Sequence, residues 1–201
     1  MGDGLSYQAY PSWFQEWLIY EREAKRLRWF EPLLVPGLLQ TADYARAVFG
    51  TRFGVTGDEI DEQVAARLKR QEIVERDRPA QLWVIIDESV LHRGVGGTFV
   101  MREQVRHLIE AAQRPHVSLQ VVSSTVGAYR GLWAGGFAMA DCDDAPTVGY
   151  QETASAGQFV DRLDAAATLA ECWDTLVREA LPWAASQSLL EEAAKSWTPA
   201  T

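Results

Sequence analysis

Acidic side chains stand at the ends of two apolar segments of this sequence, where they could take part in acid–base chemistry. Asp87 and Glu88 directly follow one apolar run, and Tyr150 and Glu152 close a second. If both segments are strands that end at one edge of a sheet, the carboxylates meet in a crevice, which is where open α/β sheets bind ligands. Crowded carboxylates have the shifted pKa values that general acids and bases need. Glu88 and Glu152, with His92 as a third group, are therefore the candidate catalytic residues.

Three arginines and one tryptophan could complete a ligand site around these acids. Arg93 follows the first acidic pair, whereas Arg67 and Arg70 lie on the preceding predicted helix. The same arginines could instead form a structural ion-pair network, because a carboxylate buried beside a guanidinium is costly to strip of its partner. Trp133 lies in a loop between glycines, which leave it room to move over a pocket. The candidate ligand-binding residues are Arg67, Arg70, Asp87, Glu88, Arg93, Trp133, Tyr150 and Glu152.

No metal site and no cofactor is expected from this sequence. His92, His107 and His116 do not stand at metal-ligand spacing from cysteines or acidic residues. Residues 94–97, Gly-Val-Gly-Gly, lack both the lysine of a nucleotide-binding loop and the spacing of a dinucleotide-binding loop. We interpret this segment as a hinge or lid.

The composition argues against nucleic acid as a direct binding partner. The 201 residues carry a formal net charge of −9, so the chain should repel phosphate backbones and is not expected to bind nucleic acid directly. Its two cysteines form neither a disulfide framework nor a metal motif, which favours a cytoplasmic protein. The N-terminal residues do not have the pattern of a signal peptide, and no apolar run is long enough to predict a membrane span.

Helices in the first third of the chain must position the arginines. Ser12 and Gln15 form a capping-box pattern that predicts the start of a helix, and apolar residues continue at helical spacing to Leu27. Glu21 and Lys25 are predicted to pair on the solvent-exposed face of this helix.

An anchored turn follows this helix. The step Pro36–Gly37 predicts a tight turn, because proline fixes φ and glycine accepts positive φ, and the apolar residues around it would hold it in the interior. Thr41 is predicted to cap a short helix that stops at Gly50. A second capping box, with Thr56 at the N-cap, predicts a helix that continues to about Glu75.

The middle of the chain changes character, and strands are predicted there. The continuous apolar run Leu82–Ile86 has the length and composition of a buried strand. A helix over residues 101–112 separates it from a second strand, Val117–Val122, and this order predicts a right-handed parallel crossover. Gly136–Ala140 and Thr147–Glu152 are predicted to form an antiparallel hairpin.

Helices are predicted to close the chain. Apolar residues recur at helical spacing from Phe159 to Pro182, and a last helix is predicted to begin near Ser188. The predicted fold class is mixed α/β (α+β): a helical N-terminal third, a small mixed sheet of about four strands with a βαβ crossover, and closing C-terminal helices. Residues 1–78 would form the helical part, and residues 79–201 the mixed-sheet part, of one compact unit.

Motifs spread along most of the chain carry a family resemblance. In chain order they are Glu21 and Ala24, Val35–Thr41 with Tyr44–Arg46, Arg67 with Arg70–Gln71, Asp87–Glu88 with Leu91 and Arg93–Gly97, Met101 with Gln104, Val121, Gly136–Phe137, and Tyr150 with Glu152. With these motifs the chain resembles the uncharacterised domain found behind an Xre-type helix-turn-helix in many actinobacterial transcriptional regulators. The resemblance extends from about Trp13 to Trp197.

Two departures from that family affect the functional interpretation. Members normally carry the DNA-reading module ahead of this region, and the residues before Trp13 are too few to form it. We therefore expect either the C-terminal portion of a regulator or a stand-alone relative. The second strand usually leads into a Leu-Pro turn, whereas Val122–Thr125 is rich in hydroxyl groups here and could alter what a neighbouring cleft accepts.

The resemblance implies a domain that senses a small molecule or a small protein partner. Binding would change its conformation and thereby the DNA affinity of an attached reader. One alternative is a stand-alone enzyme of secondary metabolism, a cyclase, isomerase or hydrolase that uses the carboxylates of the same pocket. A second alternative is a protein-interaction module, for example a homodimer, which an exposed stripe formed by Trp13 and Trp17 would support.

Overall fold

Six strands form one sheet in the computed structural model, which describes residues 10–153 and 156–198. The strands are β1 (Arg26–Glu31), β2 (Gln81–Asp87), β3 (Val117–Val122), β4 (Phe137–Asp141), β5 (Val148–Glu152) and β6 (Gly157–Val160). Their order across the sheet is β3-β2-β1-β4-β5-β6. The strands β1, β2 and β3 are parallel, and β4, β5 and β6 continue the sheet from β1 as antiparallel neighbours.

Helices pack on both faces of this sheet. The α-helices of the described residues are α1 (Ser12–Glu23), α2 (Ala42–Phe49), α3 (Gly57–Arg70), α4 (Ser89–His92), α5 (Thr98–Ala111), α6 (Arg130–Ala134), α7 (Leu163–Glu179) and α8 (Trp183–Ser196). The last of them begins directly after Pro182 rather than near Ser188. Among the described residues, no helix has the length and apolar character that crossing a membrane requires.

The predicted mixed α/β class is confirmed, and so is the parallel crossover β2–α5–β3. The buried run of β2 lacks alternation because the sheet is covered on both faces, so both sets of side chains must be apolar. The sheet is nevertheless larger than the four strands expected, because β1 and β6 join it at its middle and at one edge.

The two additional strands lie in segments for which the sequence predicts helices. The first helix ends at Glu23 and Leu27 belongs to β1, whereas Phe159 belongs to β6 and the following helix starts at Leu163. Over such short segments the apolar spacing fits a strand as well as a helix turn. Only pairing with neighbouring strands decides between them, and that pairing makes a segment of the first third a central strand of the sheet.

The capping predictions have different outcomes. The side chain of Thr41 caps α2, and Thr56 forms a reciprocal capping box with Glu59 at the start of α3, as predicted. The capping box at Ser12 is wrong: Pro11 occupies the N-cap, and Ser12 is already the first helical residue. Its side chain is therefore one position too late to cap the helix.

The predicted surface pair of Glu21 and Lys25 is also wrong. The helix ends before Lys25, which pairs with Asp143, and Glu21 is only 1 % exposed. Glu21 instead forms a buried ion pair with Arg70 of α3. A carboxylate assigned to solvent is thus part of the interior.

The sheet separates two apolar cores. Side chains such as Leu27 and Trp29 of β1 face the core formed with α1, α2, α5 and α8. The ring of Phe30 faces the opposite core, which α7 covers with Trp173 and Leu176. Alternation along a strand therefore assigns each residue to one side of the molecule.

The outer edge of β3 is covered by the connection between α7 and α8. Leu181 N–H donates to Val121 O (2.9 Å), and Val121 N–H donates to Ser186 Oγ (3.1 Å). The Ser186 hydroxyl, which is fully buried, donates in turn to Leu181 O (3.1 Å). These bonds occupy backbone groups that would otherwise be free to pair with another chain.

Replacing this buried hydroxyl should destabilise the fold. S186A leaves Val121 N–H without its acceptor, and we expect the free energy of unfolding to fall by about 1–3 kcal/mol in urea denaturation. S188A is the matched control, because Ser188 is exposed on the same helix and bonds only Ala184 O. Its effect should stay within about 0.5 kcal/mol. Equal losses for both variants would contradict the role of Ser186.

Candidate functional site

The sheet topology brings the predicted acidic residues to the same end of the sheet, but it does not bring them close together. The strands β1, β2, β3 and β5 run in the same direction, so Asp87, Glu88 and Glu152 lie at the same edge. Two strands, β1 and β4, lie between β2 and β5. Three strand spacings separate the two ends by about 14 Å, so the predicted residues fall into separate groups.

The acidic pair at the end of β2 is bound by donors of the chain itself. Asp87 accepts from the Tyr129 hydroxyl (2.7 Å), and Glu88 accepts from Ser124 N–H (2.7 Å) and the Ser123 hydroxyl (3.0 Å). Burial alone would raise the pKa of Glu88, but these hydrogen bonds hold it below its usual value. Glu88 therefore stays ionised, which does not suit a general acid.

The basic side chains next to this group are exposed. His92 Nε2 lies 3.8 Å from a carboxylate oxygen of Glu88, and its side chain is 53 % exposed. Arg93 is also exposed, and its Nε donates to Leu33 O (3.0 Å). The bond from Arg93 holds the loop after β2 against the segment after β1.

A second group joins α1 and α3 to the sheet edge. We call Glu21, Glu31, Arg67, Arg70 and Glu152 the charged cluster. At its centre, Arg70 Nε lies 2.9 Å from a carboxylate oxygen of Glu21, and both side chains are almost fully buried. Desolvation raises the pKa of Glu21, and the charge of Arg70 opposes that rise.

Aromatic rings surround the buried ion pair. The Arg70 guanidinium lies over the rings of Phe14 and Trp29, with 5.1 and 5.8 Å between its central carbon and the ring centroids. Trp17 Nε1 donates to the carboxylate of Glu21 (2.9 Å). The Tyr150 ring contacts Phe14 and Trp17, so β5 packs against the same aromatic group.

Arg67 has unused hydrogen-bonding capacity. Its Nη1 donates to Gln40 Oε1 (2.7 Å) and its guanidinium lies over Phe49 (4.6 Å), but its buried Nε has no partner among the described residues. Burial, followed by the like charge of Arg70, lowers the pKa of Arg67 to about 10. An acceptor at this position would stabilise the guanidinium.

Glu31, at the end of β1, is the acid that the sequence analysis missed. One carboxylate oxygen accepts from Trp29 Nε1 (3.1 Å). The other lies so close to Gly136 that a Cβ atom added there would be 2.9 Å away from it. Burial raises the pKa of Glu31 to about 7, and the charge of Glu152 adds to this shift. A strand assignment for Arg26–Glu31 would have identified it, since Glu31 then closes a strand as Asp87 does.

The apolar turn after β1 fixes the two arginines. A Cβ at Gly37 would lie 2.8 Å from Arg70 Nη2 and 3.3 Å from Arg67 Nη1, so glycine leaves the space that the guanidinium groups occupy. Gln71 donates to Gly37 O (3.0 Å) and to Gln40 O (2.8 Å), which ties the turn to the end of α3. The turn is therefore part of the charged cluster's support.

A third group lines a groove of about 750 Å³ on the α7 side of the sheet. We call it the Trp133 groove; its lining residues are Arg130, Trp133, Ala134, Gln151, Gln158, Val160, Ala165, Thr168, Leu169 and Cys172. Trp133 is 94 % exposed at its rim, whereas Leu169 and Cys172 are buried in its floor. Of the predicted ligand-binding residues, Trp133 alone lines it.

Chemically, the three groups offer different possibilities. The end of β2 is saturated by internal hydrogen bonds, whereas Glu31 of the charged cluster could exchange a proton near neutral pH. The Trp133 groove offers volume and an aromatic surface. Within residues 10–153 and 156–198 no group of three or more histidine, cysteine or acidic side chains could hold a metal ion.

Removal of one partner of the buried ion pair should cost far more than removal of both. R70M leaves Glu21 buried without its cation, and we expect a loss of about 3–5 kcal/mol in the free energy of unfolding. The double variant E21L/R70M should recover most of that loss. R46M is the control, because Arg46 pairs with Asp61 at the surface, and it should cost at most about 1 kcal/mol. Equal losses for R70M and the double variant would contradict this interpretation.

The raised pKa of Glu31 predicts a pH-dependent contribution to stability. Between its ordinary pKa of 4.5 and about 7, the folded protein holds a proton on Glu31 that the unfolded chain has lost, so this contribution declines as pH rises. E31Q should match the wild type near about pH 5 and exceed its stability near about pH 8 by roughly 1–3 kcal/mol. Urea denaturation at both pH values tests this, and a stability difference that does not change with pH would contradict it.

A family match covers most of the chain. It extends over residues 14–192, which include all six strands, the charged cluster and the Trp133 groove. No curated protein and no solved structure matches the chain. Because the match extends over most of the chain, the chain belongs to the family DUF5753, described as a domain of unknown function.

Proposed function

We propose that this protein is a small-molecule-sensing regulatory domain whose ligand binds in the Trp133 groove. The groove itself is the observation that supports the proposal. Its volume of about 750 Å³ lies within the range of small-molecule sites, and apolar walls with a few polar side chains are typical of them. Trp133 at the rim could close over a bound molecule.

The strand β5 offers a route by which binding could change the rest of the domain. Gln151 lines the groove on one face of the sheet, whereas Tyr150 and Glu152, its neighbours in the strand, belong to the opposite face. Tyr150 packs against the rings of α1, and Glu152 acts electrostatically on Glu31 and Arg67. A ligand that shifts β5 would thus alter the charged cluster beneath α1 and α3.

The output of the domain is proposed to be regulation of transcription. In the regulators that this sequence resembles, a DNA reader precedes this region, so α1 is the helix nearest to it. A ligand would change the DNA affinity of that module only if the charged cluster has two conformations and the ligand binds them with different affinity. The net charge of −9 favours a division of labour in which another module contacts the DNA.

The described residues lack the features that would favour the two alternatives, an interaction module and an enzyme. The interaction module called for an exposed stripe of Trp13 and Trp17, but Trp17 is fully buried and Trp13 is 37 % exposed. The enzyme called for Glu88 and Glu152 in one pocket, and the two residues close strands that are not neighbours. An acid–base role would pass to Glu31, whose pKa is about 7.

A variant with a filled groove tests the proposed site. A thermal-shift screen would use aromatic and heteroaromatic carboxylates, phosphates and amines on the wild type and on T168W, which places an indole in the groove. Compounds that raise Tm of the wild type should fail to stabilise T168W. A167W is the control for bulk, because Ala167 is exposed on the same helix but does not line the groove.

The regulatory part of the proposal needs a second measurement. A compound that binds should slow hydrogen exchange in β5 and also in α1 and α3, because Tyr150 and Glu152 connect β5 to these helices. Protection confined to β5, β6 and α7 would contradict transmission while leaving the binding site intact. Equal stabilisation of the wild type and T168W would contradict the groove as the binding site.

A further inference from the structure

Three polar side chains of the Trp133 groove, Arg130, Gln151 and Gln158, have hydrogen-bonding groups that the described residues leave unused. Across residues 10–153 and 156–198, Arg130 forms no ion pair with an acidic side chain, and the carboxamides of Gln151 and Gln158 form no hydrogen bond. Arg130 faces the thiol of Cys172, which is buried in the groove floor. Arg130 and Gln158 are exposed and Gln151 is half-buried, so all three line the groove with donors that a bound molecule can reach.

The two glutamines form a matched pair. Gln151 of β5 lies directly opposite Gln158 of β6, so their side chains leave the same face of the sheet. Directly paired residues in antiparallel strands have Cβ atoms about 4.5–5.5 Å apart. Each carboxamide offers both a donor and an acceptor, so the pair can bind the polar edge of a flat group.

The backbone that carries Trp133 packs against the core, whereas the Trp133 ring is exposed. Gly131 lies in α6, the short helix that carries Trp133, and a Cβ atom added there would lie 2.6 Å from atoms of Phe30 and Leu176. The backbone is thus pressed against the core, which only glycine permits. Gly135 caps the end of α6 with a φ of +72°, and Trp133 projects outward with 94 % of its surface exposed. Such an exposed ring can stack on a flat ligand.

We propose that the Trp133 groove binds a planar ring that carries an anionic group. The ring would stack on Trp133, its polar edge would meet Gln151 and Gln158, and its carboxylate or phosphate would pair with Arg130. A guanidinium without an acidic partner in a chain of net charge −9 favours an anion over a cation at this point. This inference rests on the proposed function, because it names the class of ligand for the same groove.

Two ring compounds of nearly equal shape test the proposal. Naphthoate carries a carboxylate, whereas naphthamide carries an uncharged carboxamide in its place. Isothermal titration or the indole N–H signal of Trp133 in NMR spectra would give their Kd values. We expect naphthoate to bind the wild type about tenfold more tightly than naphthamide, because the hydrogen bonds to the guanidinium are charge-assisted.

Variants assign the affinity to the individual side chains. R130Q should weaken naphthoate binding about tenfold and leave naphthamide binding unchanged, whereas W133A should weaken both several-fold. R178Q and W183A are the controls, because both residues are exposed and neither lines the groove. Neither control should change the Kd of either compound by more than about twofold.

The possible results distinguish an incorrect ligand class from an incorrect binding site. If W133A weakens both compounds but R130Q affects neither, the groove binds rings and the proposed anionic class is wrong. If the wild type, W133A and R130Q bind both compounds equally, the compounds bind outside the groove and the inference is wrong. If none of them binds either compound, the inference is also wrong, whereas the proposed function is decided by the comparison of the wild type with T168W. Tighter binding of naphthoate that depends on Arg130 and Trp133 would support the inference.

Discussion

The buried ion pair between Glu21 and Arg70 is the interaction on which this arrangement depends. It joins α1 to α3, and both side chains lie almost fully out of water. Charges in such a place are tolerated only when each has its partner and further donors or aromatic faces around it. Trp17, Phe14 and Trp29 supply these. The pair thereby fixes where two helices of the first third meet the sheet.

That constraint gives the two faces of β5 different surroundings. On one face, Tyr150 belongs to the aromatic group around the ion pair, and Glu152 contributes to the raised pKa of Glu31. On the other face, Gln151 borders a groove in which its own carboxamide and that of Gln158 form no hydrogen bond within the described part of the chain. A strand that links a tightly packed charged interior to an open groove is well placed to couple binding with conformation. The proposed sensing mechanism follows from this position.

Several features could be predicted because their causes are local. The cap of Thr41, the capping box of Thr56 and Glu59, and the buried strand β2 each depend on residues within a few positions of one another. The same reasoning failed for Leu27 and Phe159, whose spacing fits two structures. It also failed for Glu21, because its partner Arg70 lies on another helix that no local pattern connects to it.

The sequence by itself therefore determined the mixed α/β class, the starts of α2 and α3, the β2–α5–β3 crossover and the residue types available for binding. Only the tertiary structure decided which of them meet. It placed Glu31 beside Gly136 and Trp29, separated the ends of β2 and β5 by two strands, and brought Gln151 opposite Gln158. The reason is physical: burial, strand pairing and electrostatic interactions act between residues distant in the chain, and their strength depends on positions that no short segment specifies.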